Sequence, residues 1–404
     1  MRIAILTQPL RYNYGGILQN FALQTVLRRK GHEVVTLDPQ RCHYRKWQYP
    51  QYTFFIKWND FQQKKLEGRK LSKDDYILYT LQRIFNRLFF RRLKGDILYK
   101  KKGDIVIRTL GENLFPFVDH HIKRREYTDL YNDIASNDYD AFIVGSDQVW
   151  RPEYNAIIEN MFLDFTKGWN VKRIAYAASF GIDSWGGDAE TTEICKRMLK
   201  QFDFVSVRES SGVRLCQDVF DVNAAHVLDP TMLLTKEEYC SLLRLDKIPK
   251  SQGNLLVYIL DYSDDKRTLI QRIADEYHLS PFRVNSDVED YHLSDLSRRV
   301  QPPVEQWLRG FYDAEYVVTD SFHACVFSII FSKPFVVYAN DSRGKTRYES
   351  LLQQFSLSNC MVTSSEGLHG FSGFTDENKK KLDEQREKSI NDLLISLAHV
   401  DFTA

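Results

Sequence analysis

Apolar residues in this chain fall in short runs that alternate with stretches of helical spacing. The first run, residues 3–7, breaks into a glycine turn, which predicts a buried strand. Ile17, Phe21, Leu23 and Leu27 then lie on one side of a predicted helix over 16–30. Gly31 and His32 end that helix, and 33–37 predicts the next strand. Strand, helix and strand in this order open a parallel sheet with helices on its faces. Further strands are predicted at 141–145, 173–177, 204–207 and 225–228. A polar linker, 246–254, precedes a second series: strands at 255–260, 282–285, 316–319 and 335–338, with helices at 264–277, 304–312 and 321–331. A charged stretch over 376–398 carries Leu382, Ile390, Leu393, Leu394 and Leu397 as an apolar face.

The fold class read from this pattern is α/β, with two Rossmann-like domains facing each other across a cleft. The first spans 1–245, the second 246–375, and a C-terminal helix within 376–404 is expected to pack back on the first. Residues 41–102 interrupt the rhythm as a basic, aromatic insertion in the first domain. Within it Ile77, Leu78, Leu81, Ile84, Phe85, Leu88 and Phe89 form a helical stripe flanked by Arg83, Arg87 and Arg91. Ligands in such folds bind outside the carboxyl ends of the strands, and nearly every polar motif here directly follows a predicted strand.

Composition narrows the partners. With 404 residues, 43% hydrophobic and 27% charged, the chain is globular and long enough for two domains. A net charge of +1 provides no global field for nucleic acid, so none is expected as a partner. Six scattered cysteines, without CxxC or Cys/His ligand spacing, predict reduced structural thiols and no metal site. The first apolar run is too short for a secretion signal and no run reaches about 18 apolar residues, so a cytoplasmic location is expected.

Five places could carry chemistry. Asn13, Gly15 and Gly16 join the first strand to the first helix, where glycines permit close backbone approach and free N–H groups attract a phosphate or carboxylate; a plain tight turn reads equally well. Ser146, Asp147 and Gln148 combine a hydroxyl, a carboxylate and an amide suited to sugar hydroxyls, or cap the next segment. Trp150 beside them reads as a sugar-stacking face or a core aromatic. Arg208, at the end of strand 204–207, is a fork-shaped cation suited to a carboxylate or phosphate, or a local ion pair with Glu209. His323 opens an apolar helix after a strand, where the helix dipole favours neutral imidazole for acid/base work. Arg343, Lys345 and Arg347 read as a basic loop before a helix at 348–354, either clamping an anion or solvated.

Taken in order, Asn13-Tyr14-Gly15-Gly16-Ile17-Leu18-Gln19, the segment from Phe142 to Trp150, Ser206-Val207-Arg208-Glu209, the segment from His226 to Thr231, and Asp320-Ser321-Phe322-His323 with Lys333-Pro334-Phe335 resemble the polysaccharide pyruvyl transferase family. The resemblance implies a GT-B-like fold and a transferase that moves the pyruvate unit of phosphoenolpyruvate onto a sugar as a ketal. It implies a cell-surface polysaccharide, or its lipid-linked precursor, as acceptor. Phosphoenolpyruvate enters as donor substrate, and no cofactor is expected. It assigns catalytic roles to Arg208 and His323. Relatives often carry an arginine two residues before the histidine. Ser321 holds that place here, so the missing charge is expected from Lys345 or Arg347.

On this reading Arg208 holds the donor's carboxylate or phosphate and His323 moves the protons. The insertion, about residues 75–95, suggests peripheral contact with an anionic inner membrane face, against the alternative of packing on the protein body. Two rival functions remain: a nucleotide-sugar glycosyltransferase of the same fold, and a non-catalytic carbohydrate-binding relative.

Overall fold

The structure is a computed structural model, and it describes residues 1–39, 110–155, 157–286, 296–339, 344–367 and 374–398. The insertion at 41–102, its apolar stripe, and Arg343 lie outside the described residues. Two parallel sheets organise the rest. The first has seven strands: β1 (Arg2–Leu6), β2 (Glu33–Pro39), β3 (Arg124–Tyr127), β4 (Ala141–Val144), β5 (Lys172–Ala178), β6 (Phe204–Val207) and β7 (Ala225–His226), in the spatial order β3-β2-β1-β4-β5-β6-β7. The second has five: β8 (Leu255–Tyr258), β9 (Pro281–Phe282), β10 (Tyr316–Thr319), β11 (Phe335–Tyr338) and β12 (Met361–Val362), in the order β12-β11-β10-β8-β9. Every pairing is parallel, as β1 shows by aligning Ile3 with Val34 on one side and Ala141 on the other. Strands buried on both faces read as continuous apolar runs, and β4 and β8 are buried at every position.

Helices of nine or more described residues are α1 (Tyr14–Arg29), α2 (Ala189–Leu199), α3 (Ser210–Asp218), α4 (Asp264–Glu276), α5 (Val304–Asp313), α6 (Phe322–Ile330), α7 (Lys345–Gln354) and α8 (Asp376–Leu397). The first core cluster runs without a break from Ile5 and Leu18 in the first half to Trp307, Val317 and Phe327 in the second. Tyr14 spans the join: its hydroxyl donates to the Pro302 carbonyl at 2.6 Å, and its ring stacks on Trp307 at 5.2 Å. Helix α8 starts on the second half, where Asn378 Nδ2 donates to the Phe355 carbonyl at 2.6 Å, and then runs onto the first. Leu228 N–H donates to Ser389 Oγ at 3.1 Å, Arg386 Nε to the Met232 carbonyl at 2.8 Å, and Lys172 Nζ to the Ala398 carbonyl at 2.7 Å.

Two sequence expectations need correction. Lys345 and Arg347 are not in a loop. They stand in the first turn of α7, which follows Gly344, its N-cap residue with φ of 77°. Strand β3, with the sequence RREY, was not anticipated, because it has no apolar run and pairs only at the sheet edge. Among the described residues no helix is long and apolar enough to cross a membrane.

Candidate functional site

The carboxyl ends of the two sheets meet at one buried cluster. From the first half, the turn after β4 brings Asp147, the end of β6 brings Arg208 and Glu209, and the segment after β7 brings Asp229. From the second half, the start of α6 brings Phe322 and His323. Arg208 is fully buried and donates from Nη1 to Asp229 Oδ2 at 2.7 Å and from Nη2 to Asp147 Oδ1 at 3.0 Å. Its Nε lies 3.8 Å from Glu209 Oε2. The His323 Nε2 atom sits 3.7 Å from Asp229 Oδ2, an ion-pair distance rather than a hydrogen bond. The two Asp carboxylates therefore order Arg208, and one of them also faces the imidazole.

Asp229 is the residue that sequence reasoning missed. It appeared only within the segment from His226 to Thr231. Its Oδ1 accepts from the Thr231 N–H and hydroxyl at 3.0 and 2.7 Å, and Oδ2 accepts from Arg208 and the Ser146 hydroxyl. Burial raises its carboxyl pKa, but His323 and Arg208 outweigh that and hold it well below the usual carboxylate range. Asp147 follows the same pattern, depressed chiefly by Arg208 against the cost of burial. Glu209 goes the other way: burial pushes its carboxyl up despite Arg208 and Arg347. Arg208 itself, whose charge burial opposes, is held charged by Asp147, Asp229 and Glu209.

The glycine turn has an unexpected use. A Cβ placed on Gly15 would stand 1.9 Å from His323 Nδ1 and 2.1 Å from its Cγ. Gly15 thus leaves room for the imidazole ring. Asn13 caps α1 by accepting the Gly15 N–H at 3.1 Å, and its Nδ2 donates to Asp147 Oδ2 at 3.3 Å. Gly16 is less confined, since its Cβ would meet Asn13 and Asp147 at 3.4 Å and 3.5 Å.

The turn after β4 is built tightly. Asp147 takes φ of 69° and accepts the Ser179 N–H at 3.1 Å, while Gly145 takes φ of 118° where a Cβ would stand 2.2 Å from the Tyr176 carbonyl. Ser146, expected to face a sugar, is fully buried and donates its hydroxyl to Ala177 O at 2.7 Å. Gln148 is half-buried and accepts from Arg151 Nη1 at 2.9 Å. Trp150 is fully buried, donates to the Met161 carbonyl and stacks on Phe162, which decides between its two readings in favour of the core.

At the start of α6, Asp320 accepts from Leu260 N–H, Asp261 N–H and Lys266 Nζ, and so fixes the helix against β8 and α4. Ser321 donates its N–H to Thr319 Oγ1 at 2.9 Å and makes no side-chain cap. Phe322 lies under two guanidiniums: Arg208 at 4.6 Å and Arg347 at 5.4 Å from the ring centroid. Of the two α7 cations, only Arg347 joins the buried group; Lys345 is part-exposed and pairs with Glu349 at 3.6 Å. Burial and the neighbouring Arg208 lower the Arg347 pKa. A cavity of about 930 Å³ opens at the opposite ends of the strands, near Arg2, Asp140 and Lys172, and holds none of the residues selected from the sequence.

With this geometry in view, the likeness to known proteins can be read. A sequence profile described as Polysaccharide pyruvyl transferase matches residues 13–342, which takes in Asn13, Asp147, Arg208, Asp229 and His323. The chain belongs to the polysaccharide pyruvyl transferase family. No curated protein matches it. Among solved structures, it is similar to a UDP-GlcNAc 2-epimerase from Neisseria meningitidis bound to UDP-GlcNAc, at 7% identity and a TM-score of 0.45 over 98% of this chain and 100% of that one. A putative UDP-N-acetylglucosamine 2-epimerase from Listeria monocytogenes is similar at 10% identity and a TM-score of 0.47, over 96% and 90%. UGT2 from Phytolacca americana, without ligand, is similar at 10% identity and a TM-score of 0.37, over 98% and 94%.

Proposed function

We propose that this chain transfers the pyruvate unit of phosphoenolpyruvate to two hydroxyls of a sugar in a polysaccharide or its lipid-linked precursor. The observation that carries the reading is the meeting of His323, from the second half, with Asp229 at 3.7 Å in the first half, in a space that Gly15 leaves open. Family membership over residues 13–342 supports a transferase of this kind.

In the reaction, a proton adds to the donor's methylene carbon and makes the central carbon electrophilic. One sugar hydroxyl adds there, phosphate leaves, and the second hydroxyl closes the ketal. One hydroxyl proton ends on the new methyl group and the other leaves with phosphate. His323 is the acid/base that relays these protons, and a positioned group of this kind contributes about 10²–10⁴-fold. Asp229 stabilises the imidazolium as it forms. Arg208, with both Nη atoms on carboxylates, holds Asp229 and Asp147 in place rather than reaching for the donor in this arrangement. Arg347 supplies the second positive charge where relatives carry arginine in place of Ser321, and the N-terminus of α1 adds its dipole for the donor's anionic groups. The donor is a substrate, and the proton chemistry above uses side chains of this chain.

The test is His323→Gln, assayed by phosphate release from phosphoenolpyruvate in the presence of acceptor glycan. Turnover should fall at least about 100-fold with unchanged circular dichroism. Near-normal turnover removes His323 from the mechanism.

A further inference from the structure

We propose that the turn over residues 151–155 is an acceptor subsite, with the ring of Tyr154 as the stacking face for a pyranose of the glycan. The proposal rests on the pyruvyl-transfer reading above and names where its acceptor sits. The turn follows β4, as Asp147 does, and begins three residues past Gln148. It is held stiffly: Tyr154 N–H donates to the Arg151 carbonyl at 3.1 Å, and Asn155 Nδ2 donates to the Val149 and Arg151 carbonyls at 3.0 Å each. Gln8 ties it to the loop after β1, donating to the Gln148 carbonyl at 3.0 Å and to Asn155 Oδ1 at 3.2 Å.

On this fixed frame Tyr154 leaves 53% of its surface in water. A large aromatic side chain on a turn tied to Gln148, the chain neighbour of Asp147, is suited to a ligand with an apolar face. The Arg151 guanidinium lies 4.4 Å from the Tyr154 ring centroid and polarises it, with its Nη1 on Gln148 and its Nε 3.3 Å from Glu153 Oε2. Arg151 backs one face of the ring, and a pyranose suits the other: C–H bonds on one side for the ring, and hydroxyls at the edge for the exposed Glu153 carboxylate. Stacking is thereby moved off Trp150, which is fully buried. The loop carrying Gly186 closes one flank, since a Cβ there would stand 3.1 Å from Glu153 Oε1.

The test uses the full chain in two arms. In the first, wild type, Tyr154→Ala, Tyr154→Phe and Tyr312→Ala are applied to an immobilised array of pyranose oligosaccharides. Tyr312 is a matched control, with Arg309 5.6 Å over its ring but on α5, away from the cluster. Wild type, Tyr154→Phe and Tyr312→Ala should bind the same glycans, and Tyr154→Ala about tenfold more weakly. In the second, kinetic arm, Tyr154→Ala should raise KM for the acceptor about tenfold and leave KM for phosphoenolpyruvate unchanged. Equal binding by wild type and Tyr154→Ala, absence of any array binding by wild type, or an unchanged acceptor KM would overturn the subsite. Array binding lost in Tyr154→Ala, without any phosphoenolpyruvate turnover in wild type, would keep the subsite and reject the pyruvyl-transfer reading.

Discussion

Gly15→Ala adds one carbon at the point where α1 meets the His323 ring. Alanine is the better helix former by about 0.5–1 kcal/mol, so on backbone grounds the change should stabilise α1. The added atom, however, would stand 1.9 Å from Nδ1, 2.1 Å from Cγ and 2.5 Å from Cε1 of His323. Ordinary contact needs roughly 3.4 Å or more, so ring or helix must give by about 1.5 Å. The ring has little space behind it, because it is buried and packs edge-on against Phe322 at 5.4 Å. Overpacking of this kind costs about 1–3 kcal/mol, which leaves a net loss of roughly 0–2.5 kcal/mol after the propensity gain. A displacement of that size should cost turnover far more, about 100-fold or greater, because reacting groups tolerate little misplacement. Phosphate release from phosphoenolpyruvate measures the rate, and urea unfolding measures the stability. Gly16→Ala is the internal control for stability, since its Cβ finds ordinary contacts and should leave urea unfolding nearly unchanged. If Gly15→Ala kept turnover within threefold of wild type, or if both substitutions were equally destabilising, the reasoning would be refuted.

Asp229→Asn leaves the buried Arg208 with less compensating charge. Removing one partner of a buried pair typically costs about 3–5 kcal/mol, and with Asp147 still in place the lower end is expected by urea unfolding; a loss under about 0.5 kcal/mol contradicts this charge balance. The carboxylates also set the pH profile of stability. Asp229 and Asp147 titrate below their ordinary 3.8, so they bind fewer protons folded than unfolded; their contribution is complete above that value and is lost as pH falls through their folded values. Glu209 titrates above its ordinary 4.5 and binds more protons when folded, so its burial lowers stability as pH rises from there through its folded value. Tm should therefore fall as pH drops below 3.8, and should also fall as pH rises from 4.5 through the folded Glu209 value; Glu209→Gln should remove the second fall alone. Superimposable profiles for the two proteins would count against a buried, reluctant Glu209.

The two sheets were legible because their strands are apolar on both faces: β6, β10 and β11 coincide with the runs that announced them. Edge strands were legible only in part: β7 and β9 were expected at 225–228 and 282–285 and are shorter, two residues each, while β3, half-buried along its length, and β12, of two residues, gave no signal. The site was legible as a set of strand-end positions, and the structure brings Asn13, Gly15, Asp147, Arg208, Arg347 and His323 together. What each residue does there was less visible. That Arg208 faces two carboxylates, that Gly15 makes room for a ring more than 300 residues away, and that Trp150 is sealed while Tyr154 is open are all consequences of long-range packing. No local spacing encodes them.

Helix α8 has a consequence for the order in which this molecule is assembled. Through Ser389, Arg386 and the carbonyl of Ala398 it engages Leu228, Met232 and Lys172, all of the first half, although the whole second sheet is synthesised in between. A nascent chain that has delivered only the first sheet must wait, with the apolar surface destined for Leu382, Leu393 and Leu397 uncovered, until α8 leaves the ribosome. The segment of β7 and Asp229 that this helix covers is the one that faces His323. Completion of the reactive cluster is thus tied to a helix made only after the whole second sheet.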